Sequence, residues 1–343
     1  MHIGSTIATL YFDSYRTYCA VFEPRPEGAL ALTYLNATSQ PLDWKRPLAE
    51  MLDSPAMQEL EALLQPIRGK VRSLGIAMTM ESVLAHQIPY SHTLTTDELR
   101  RIVRLEVSEH LPSYDPSQFL ATIYPLNGFA SNPFTAMSVL VSRAVTGVAE
   151  HAAAFLGADL QRFVASQTAA HTAFAYNYPE ERGVMALCGV QRGYMDVSVV
   201  RNSVLLHTAT IALDTDIDDE NDASTAQELD KTSTKQNFGT ICASALQEAA
   251  DVVQAPLDGV YFFGSDFTKA ALDEVSGLLT SPAKRLNPLR QLSTTLEERL
   301  QGYASRVAHI LVPSIGAALP EIQPGIILSS NLPPQRQPQR KTA

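Results

Sequence analysis

Between residues 184 and 211 the chain alternates three apolar, β-rich runs with two short polar breaks. Residues 184–189, 194–200 and 204–211 read as strands, joined at Gln191-Arg192-Gly193 and Arg201-Asn202-Ser203 into an antiparallel meander. The N-terminal end has the same layout. Residues 6–12, 17–23 and 30–35 are strand-like, separated by Asp13-Ser14-Tyr15-Arg16 and by Pro24-Arg25-Pro26-Glu27-Gly28. Each half of the chain therefore opens with three short strands before any helical period begins.

Elsewhere the apolar spacing lengthens. Residues 47–64 predict one helix, with Leu48, Met51, Leu52, Met57, Leu60 and Leu64 as its apolar positions around Pro55, and residues 74–78 predict the next strand. Thr95 and Glu98 form a capping box, in which the hydroxyl accepts from the amide three residues on and the carboxylate reaches back to the cap amide. The helix that starts there sets Leu99, Ile102, Val103 and Val107 on one face, with Arg100, Arg101, Arg104 and Glu109 on the other, and stops at Leu111-Pro112. Strands follow over 119–124 and 136–141. A helix over 145–156 is predicted to bury Val145, Val148, Ala152 and Phe155 and to end at Gly157. In the second half, residues 238–253 read as a helix, 259–263 as a strand running into Gly264-Ser265, and 267–279 as another helix.

With 343 residues and 45% hydrophobic content, the chain has material for two domains. A formal net charge of -10 argues against broad binding to a phosphate backbone, so nucleic acid is not an expected partner. Cys19, Cys188 and Cys242 are far apart and have no metal-ligand spacing, which points to a reducing compartment. No apolar run is long enough for a membrane span, and the cytoplasm is the expected location. The run from Asp214 to Asp222 opens a polar insertion over 214–237; like charges at this density repel and stay hydrated. Asp214, Asp216 and Asp218 match the first half of a calcium loop, but Asp219 replaces its glycine and Thr225 its bidentate glutamate. The histidines show no ligand spacing. The last residues, 329–343, are a Pro/Gln/Arg tail with nothing to bury.

The stretch 86–126 carries a family resemblance. Ile88-Pro89, the acidic capped start Leu94-Thr95-Thr96-Asp97-Glu98-Leu99, and the helix end Val107-Ser108-Glu109-His110-Leu111-Pro112 are similar in order and spacing to the PilM family, cytoplasmic actin-like proteins of type IV pilus assembly. The likeness continues at Val139-Leu140-Val141-Ser142-Arg143, at Leu156-Gly157-Ala158 and at the closing Ile315-Gly316-Ala317-Ala318-Leu319. It implies a bilobal α/β fold of the actin-like ATPase type, the ribonuclease H-like unit duplicated. The first lobe would span 1–178 with a small α/β subdomain inserted at about 82–140, and the second lobe 179–328. It also implies a place under the inner membrane, peripheral to it through partners. A short N-terminal cytoplasmic peptide of an inner-membrane protein of PilN type would be held between the subdomain and the first lobe. Related actin-like domains serve type II secretion platforms.

An actin-like nucleotide site needs two hairpin turns whose amides approach the phosphates, glycines where a Cβ would clash, and carboxylates for magnesium. The candidates are Asp13 and Ser14 in the first turn, Gly189 and Gly193 at the second, and Gly264 and Ser265 on the adenosine side. Three substitutions weaken this set. Tyr15 stands where small residues are wanted, Leu187 where the family has its aspartate, and Ser265 where it has a second glycine. An alkyl group cannot position a hydrolytic water or metal. The chain is thus expected to be a scaffold that does not hydrolyse ATP, with weak binding of ATP and Mg left open and Arg192 as a phosphate contact or an exposed turn residue. The alternative is an active actin-like ATPase powering pilus assembly, with Asp13 as its metal carboxylate.

Overall fold

The computed structural model describes residues 5–25, 29–79, 82–110, 115–126, 135–213 and 238–328. The acidic segment 214–237, with its calcium-like aspartates, the tail 329–343 and the Leu111-Pro112 stop lie outside the described residues.

The first meander is β1 (Ile7–Phe12), β2 (Thr17–Pro24) and β3 (Leu30–Ala37), paired antiparallel. Next come α1 (Leu48–Leu52) and α2 (Pro55–Leu64), where one helix was expected. The break has a local cause. Ser54 accepts the Met57 amide as an N-cap and Pro55 takes the first helical position, where its missing N–H costs nothing. The strand β4 (Ser73–Met78) then pairs parallel with β1.

A separate four-stranded sheet follows in the chain. It contains β5 (Val83–Pro89), then the helix α3 (Thr96–His110), then β6 (Phe119–Leu126) and β7 (Thr135–Ser142). The capping box forms: the Thr95 amide donates to Glu98 Oε2 at 2.7 Å, and the Glu98 amide to Thr95 Oγ1 at 3.3 Å. Leu99, Val103 and Val107 are buried against Ile88, Ile123 and Leu140. Ile102 is only half-buried.

From this sheet the chain enters α4 (Arg143–Leu156), capped by Ser142 and closed by Gly157 in the left-handed region at φ 68°. Phe155, expected in the core, lies half-exposed with the Arg68 guanidinium 4.9 Å above its ring. Then β8 (Asp159–Ala165) joins β4 in parallel, and α5 (Ser166–Asn177) leads to the second meander.

That meander is β9 (Val184–Gln191), β10 (Tyr194–Arg201) and β11 (Val204–Ala212). Its second turn has Asn202 and Ser203 at φ 51° and 60°, the type I′ geometry that matches the strand twist. Helix α6 (Phe238–Val253), β12 (Gly259–Phe263), helix α7 (Lys269–Leu278) and β13 (Ala283–Arg285) complete a sheet ordered β11-β10-β9-β12-β13. Thr268 caps α7, so that helix starts two residues later than its apolar spacing suggested.

The end of the chain does not stay with this sheet. The short strand β14 (Ser293–Thr294) pairs with β3, which gives the first sheet the order β14-β3-β2-β1-β4-β8. Helices α8 (Glu298–Arg306) and α9 (Val312–Ala318) follow, and α9 packs on β1 and β4. There Thr9 Oγ1 meets Ser314 Oγ at 2.8 Å, and a Cβ on Gly75 would lie 2.8 Å from the Ala317 carbonyl. Last, β15 (Ile326–Ile327) joins the edge of β6.

Alternation along β9 explains how the sheets share a core. Met185 and Leu187 face the large cluster built on the first sheet with α5 and α9, while Ala186, Cys188 and Val190 face α6 and α7. Helix α9 thus packs with both meanders' apolar residues in one continuous core. Cys19, Cys188 and Cys242 are all buried and free.

Candidate functional site

The first-meander turn closes with the Asp13 amide donating to the Arg16 carbonyl at 3.1 Å. The Asp13 side chain is buried, and both its oxygens are engaged: Oδ1 accepts the Tyr11 hydroxyl at 3.1 Å and Oδ2 the Tyr15 amide at 3.3 Å. Tyr11 also receives Gln191 Nε2 at 2.9 Å, a bond that crosses from β1 to the end of β9. Gln191 Oε1 in turn accepts the Ser265 hydroxyl at 3.1 Å, and Ser265 stands beside the Asp13 carboxylate. Three segments remote in sequence thus meet in one buried polar network.

Burial pushes Asp13 up to about 6, against the lowering effect of the Tyr15 amide and of the Tyr11 and Ser265 hydroxyls; the nearby Asp266 pushes it further up. Tyr11 is held well above its ordinary value by burial first and by Asp13 second. Tyr15, expected to obstruct the turn, hydrogen-bonds to Asp266, and Arg192 faces both, so the rim of the gap is bridged as well as its floor. Ser14 Oγ is buried without a hydrogen-bond partner among the described residues.

The glycines serve distinct ends. Gly264 has φ 109°, and a Cβ there would lie 2.2 Å from the Val190 carbonyl, so the loop after β12 can cross β9 only as glycine. Its amide donates to the His309 carbonyl at 3.0 Å. Gly189 lies within β9 and leaves room for the Phe263 ring, whose Cζ would be 2.6 Å from an added Cβ. Gly193 sits in the β9–β10 turn at φ 77°, beside the network. Leu187 is a buried core residue shared between the sheets. The structure therefore brings Asp13, Gly264 and Ser265 together, with Ser14 and Gly193 in the flanking turns. Gly189 is instead occupied in packing.

A second buried carboxylate escaped the sequence pattern. Asp196 in β10 accepts Ser166 Oγ at 3.0 Å through Oδ2, and Gln167 Nε2 and Thr210 Oγ1, each at 2.9 Å, through Oδ1. Burial raises it to about 7 despite these three donors. The bonds fasten β10 to the start of α5, the helix that leaves the first sheet. Tyr11, Gln191, Asp196 and Asp266 carry no motif of their own. Only a lone polar residue inside an apolar strand, as at Tyr11, Gln191 and Asp196, marks them.

The inserted sheet carries the other candidate surface. On α3, Arg100 is spent: Nη1 donates to Asp97 Oδ1 at 2.7 Å and Nε to the Leu328 carbonyl at 2.8 Å. Arg101, Arg104 and Leu105 stay exposed. The edge of β6 is filled by the chain itself, with Ile326 opposite Ile123 and the Leu328 amide donating to the Ala121 carbonyl at 2.9 Å. Leu328 is buried in the α3 cluster. Among the described residues no helix is long and apolar enough to cross a membrane, and no group of three or more His, Cys, Asp or Glu gathers to hold a metal ion.

No protein-family model matches the sequence, and no curated protein matches it. Among solved structures the chain is similar to a chain of the PilM-PilN type IV pilus biogenesis complex, with a TM-score of 0.65 at 15% identity over 94% of this chain and 100% of that one. It is also similar to a Bacteroides thetaiotaomicron protein with an actin-like ATPase fold, with a TM-score of 0.47 at 9% identity over 83% and 92%. A third is the cytoplasmic domain of EpsL, an inner membrane component of the type II secretion system of Vibrio cholerae, with a TM-score of 0.43 at 9% identity over 83% and 98%. The first match establishes the fold: the actin-like α/β architecture, with its inserted sheet, expected from the sequence.

Proposed function

We propose that this chain is a PilM-type scaffold of a type IV pilus or related secretion platform. It works in the cytoplasm, held against the inner membrane through partners, and binds the short N-terminal cytoplasmic peptide of a PilN-type membrane protein. The observation that carries this reading is the full-length agreement with the chain from the PilM-PilN complex. Peptide capture by sheet addition would use β5, because β6 already carries β15.

We further propose that the chain does not turn over ATP. Magnesium-bound triphosphate needs an ionised carboxylate and amides facing an open gap. Asp13 is instead buried and tied to Tyr11 and Tyr15, while Gln191 bridges the gap to Tyr11. Displacing those bonds leaves buried polar groups unpaired, at about 1–3 kcal/mol each. The residues as arranged do not fit the nucleotide.

Two measurements test the reading. Calorimetric titration with a synthetic peptide copying the cytoplasmic start of a PilN-type protein should give saturable binding, unchanged by Asp13→Ala. Thermal unfolding with Mg-ATP should show no stabilisation, whereas a ligand at a hundred times its Kd adds about 2.7 kcal/mol. Absent peptide binding refutes the scaffold reading. Steady phosphate release with Mg-ATP would support the alternative, an assembly ATPase.

A further inference from the structure

A cavity of about 470 Å³ opens where β3 and β14, the segment after β13, and α8 with the residues before α9 come together. None of Asp13, Ser14, Gly189, Gly193, Gly264 or Ser265 lines it. Its charged lining is all of one sign: Arg285 and Arg306, with the His309 imidazole beside them and no Asp or Glu. The full chain carries a net charge of -10, so a pocket with two arginines and no carboxylate in its lining runs against the field of the molecule.

The cations are not used up elsewhere. Among the described residues neither Arg285 nor Arg306 makes an ion pair with a carboxylate within 4.0 Å. Arg285 is steadied by donating Nη2 to the Phe267 carbonyl at 3.4 Å, with its guanidinium 5.9 Å from the Phe267 ring centre. His309 is driven down to about 4, by burial first and by the Arg285 charge second, so the positive potential reaches the imidazole. The lining also has an apolar part, with Leu286, Leu289 and Leu292.

We infer that this cavity binds a small phosphorylated metabolite, with the phosphate among Arg285, Arg306 and His309 and the rest of the molecule against the leucine wall. Guanidinium forks match phosphate oxygens in pairs, and the volume lies within the range of small-molecule pockets. The lining is drawn from the first sheet through Leu32 and Thr294 and from the second through Arg285, so the ligand would tie the two sheets together at a point separate from the phosphate turns.

The test uses inorganic phosphate as the probe, titrated into the full chain at constant ionic strength with chloride as the balance, and read by NMR at the His309 imidazole. The expected result is a saturable response in which the His309 pKa rises from about 4, because a bound anion favours imidazolium. Arg306→Gln, at an exposed side chain, should leave the melting temperature unchanged and weaken phosphate binding about tenfold or more, a loss of at least about 1.4 kcal/mol. A non-saturable response, an unmoved His309, or equal affinity in Arg306→Gln overturns the assignment. So does phosphate binding that survives Arg306→Gln and is lost in Arg192→Gln, which places the anion at the phosphate turns.

Discussion

Replacing Asp196 by asparagine should make the protein more stable at pH 8 and remove a pH dependence. The carboxylate is fully buried, and its value rises from an ordinary 3.8 to about 7 because loss of hydration outweighs three donors. A raised folded value means that protons bind the folded state more tightly than the unfolded one. The stabilising contribution is therefore complete below pH 3.8 and is lost as the pH rises through about 7. That displacement corresponds to about 4 kcal/mol at most. Asparagine has the same shape without the charge. Its Oδ1 keeps Gln167 Nε2 and Thr210 Oγ1, and its Nδ2 can donate to Ser166 Oγ, which reverses its role. Urea unfolding of parent and Asp196→Asn from pH 4 to pH 8 measures the effect. The two should be nearly equal at pH 4 and diverge upward, with the variant ahead by up to about 4 kcal/mol at pH 8. A variant weaker at pH 8, or a difference that stays constant across the range, refutes the argument that burial of this charge governs the trend.

Tyr11→Phe removes the hydroxyl shared by Asp13 and Gln191 and should cost about 1–3 kcal/mol in thermal unfolding at pH 7; an unchanged melting temperature would mean the cross-sheet bonds contribute nothing. Gly264→Ala forces a Cβ to 2.2 Å from the Val190 carbonyl at φ 109° and should lower soluble yield and melting temperature more than any surface change, by several kcal/mol, about 3 or more. Leu328→Ala empties the plug of the α3 cluster and should cost about 2–5 kcal/mol, read as faster hydrogen exchange in β6 and α3 with the first sheet unaffected. Asp13→Asn should flatten whatever stability loss the parent shows between pH 3.8 and about 6, the window in which a raised carboxylate gives up its contribution.

Both meanders, the capping box of α3, the Gly157 stop and the strand into Gly264 could be read from the sequence, because each has a local cause in period or cap chemistry. Helix α5 could not. Its buried residues include Gln167, Thr168, His171, Thr172 and Asn177 as well as alanines, so it is enclosed all round and shows no apolar stripe. The split at Ser54-Pro55 was written in the sequence but outweighed by the continuous apolar spacing on either side. The candidate site followed the same division. Asp13, Gly264 and Ser265 could be found from their turns, whereas the Tyr11–Gln191 bond spans 180 residues and has no spacing to detect. Asp196 reads as one acid among the valines of a strand, and only the fold shows Ser166, Gln167 and Thr210 converging on it.

Helix α9 and β15 are synthesised long after the strands they cover. The Thr9–Ser314 bond closes over 305 residues and the Arg100–Leu328 bond over 228. While the chain is being synthesised, β1 and β4 lack the helix that will cover one of their faces, and the inserted sheet lacks its Leu328 plug. Growing chains of this protein therefore hold apolar strands in the open until α9 and β15 have emerged, a state prone to aggregation and suited to chaperone binding.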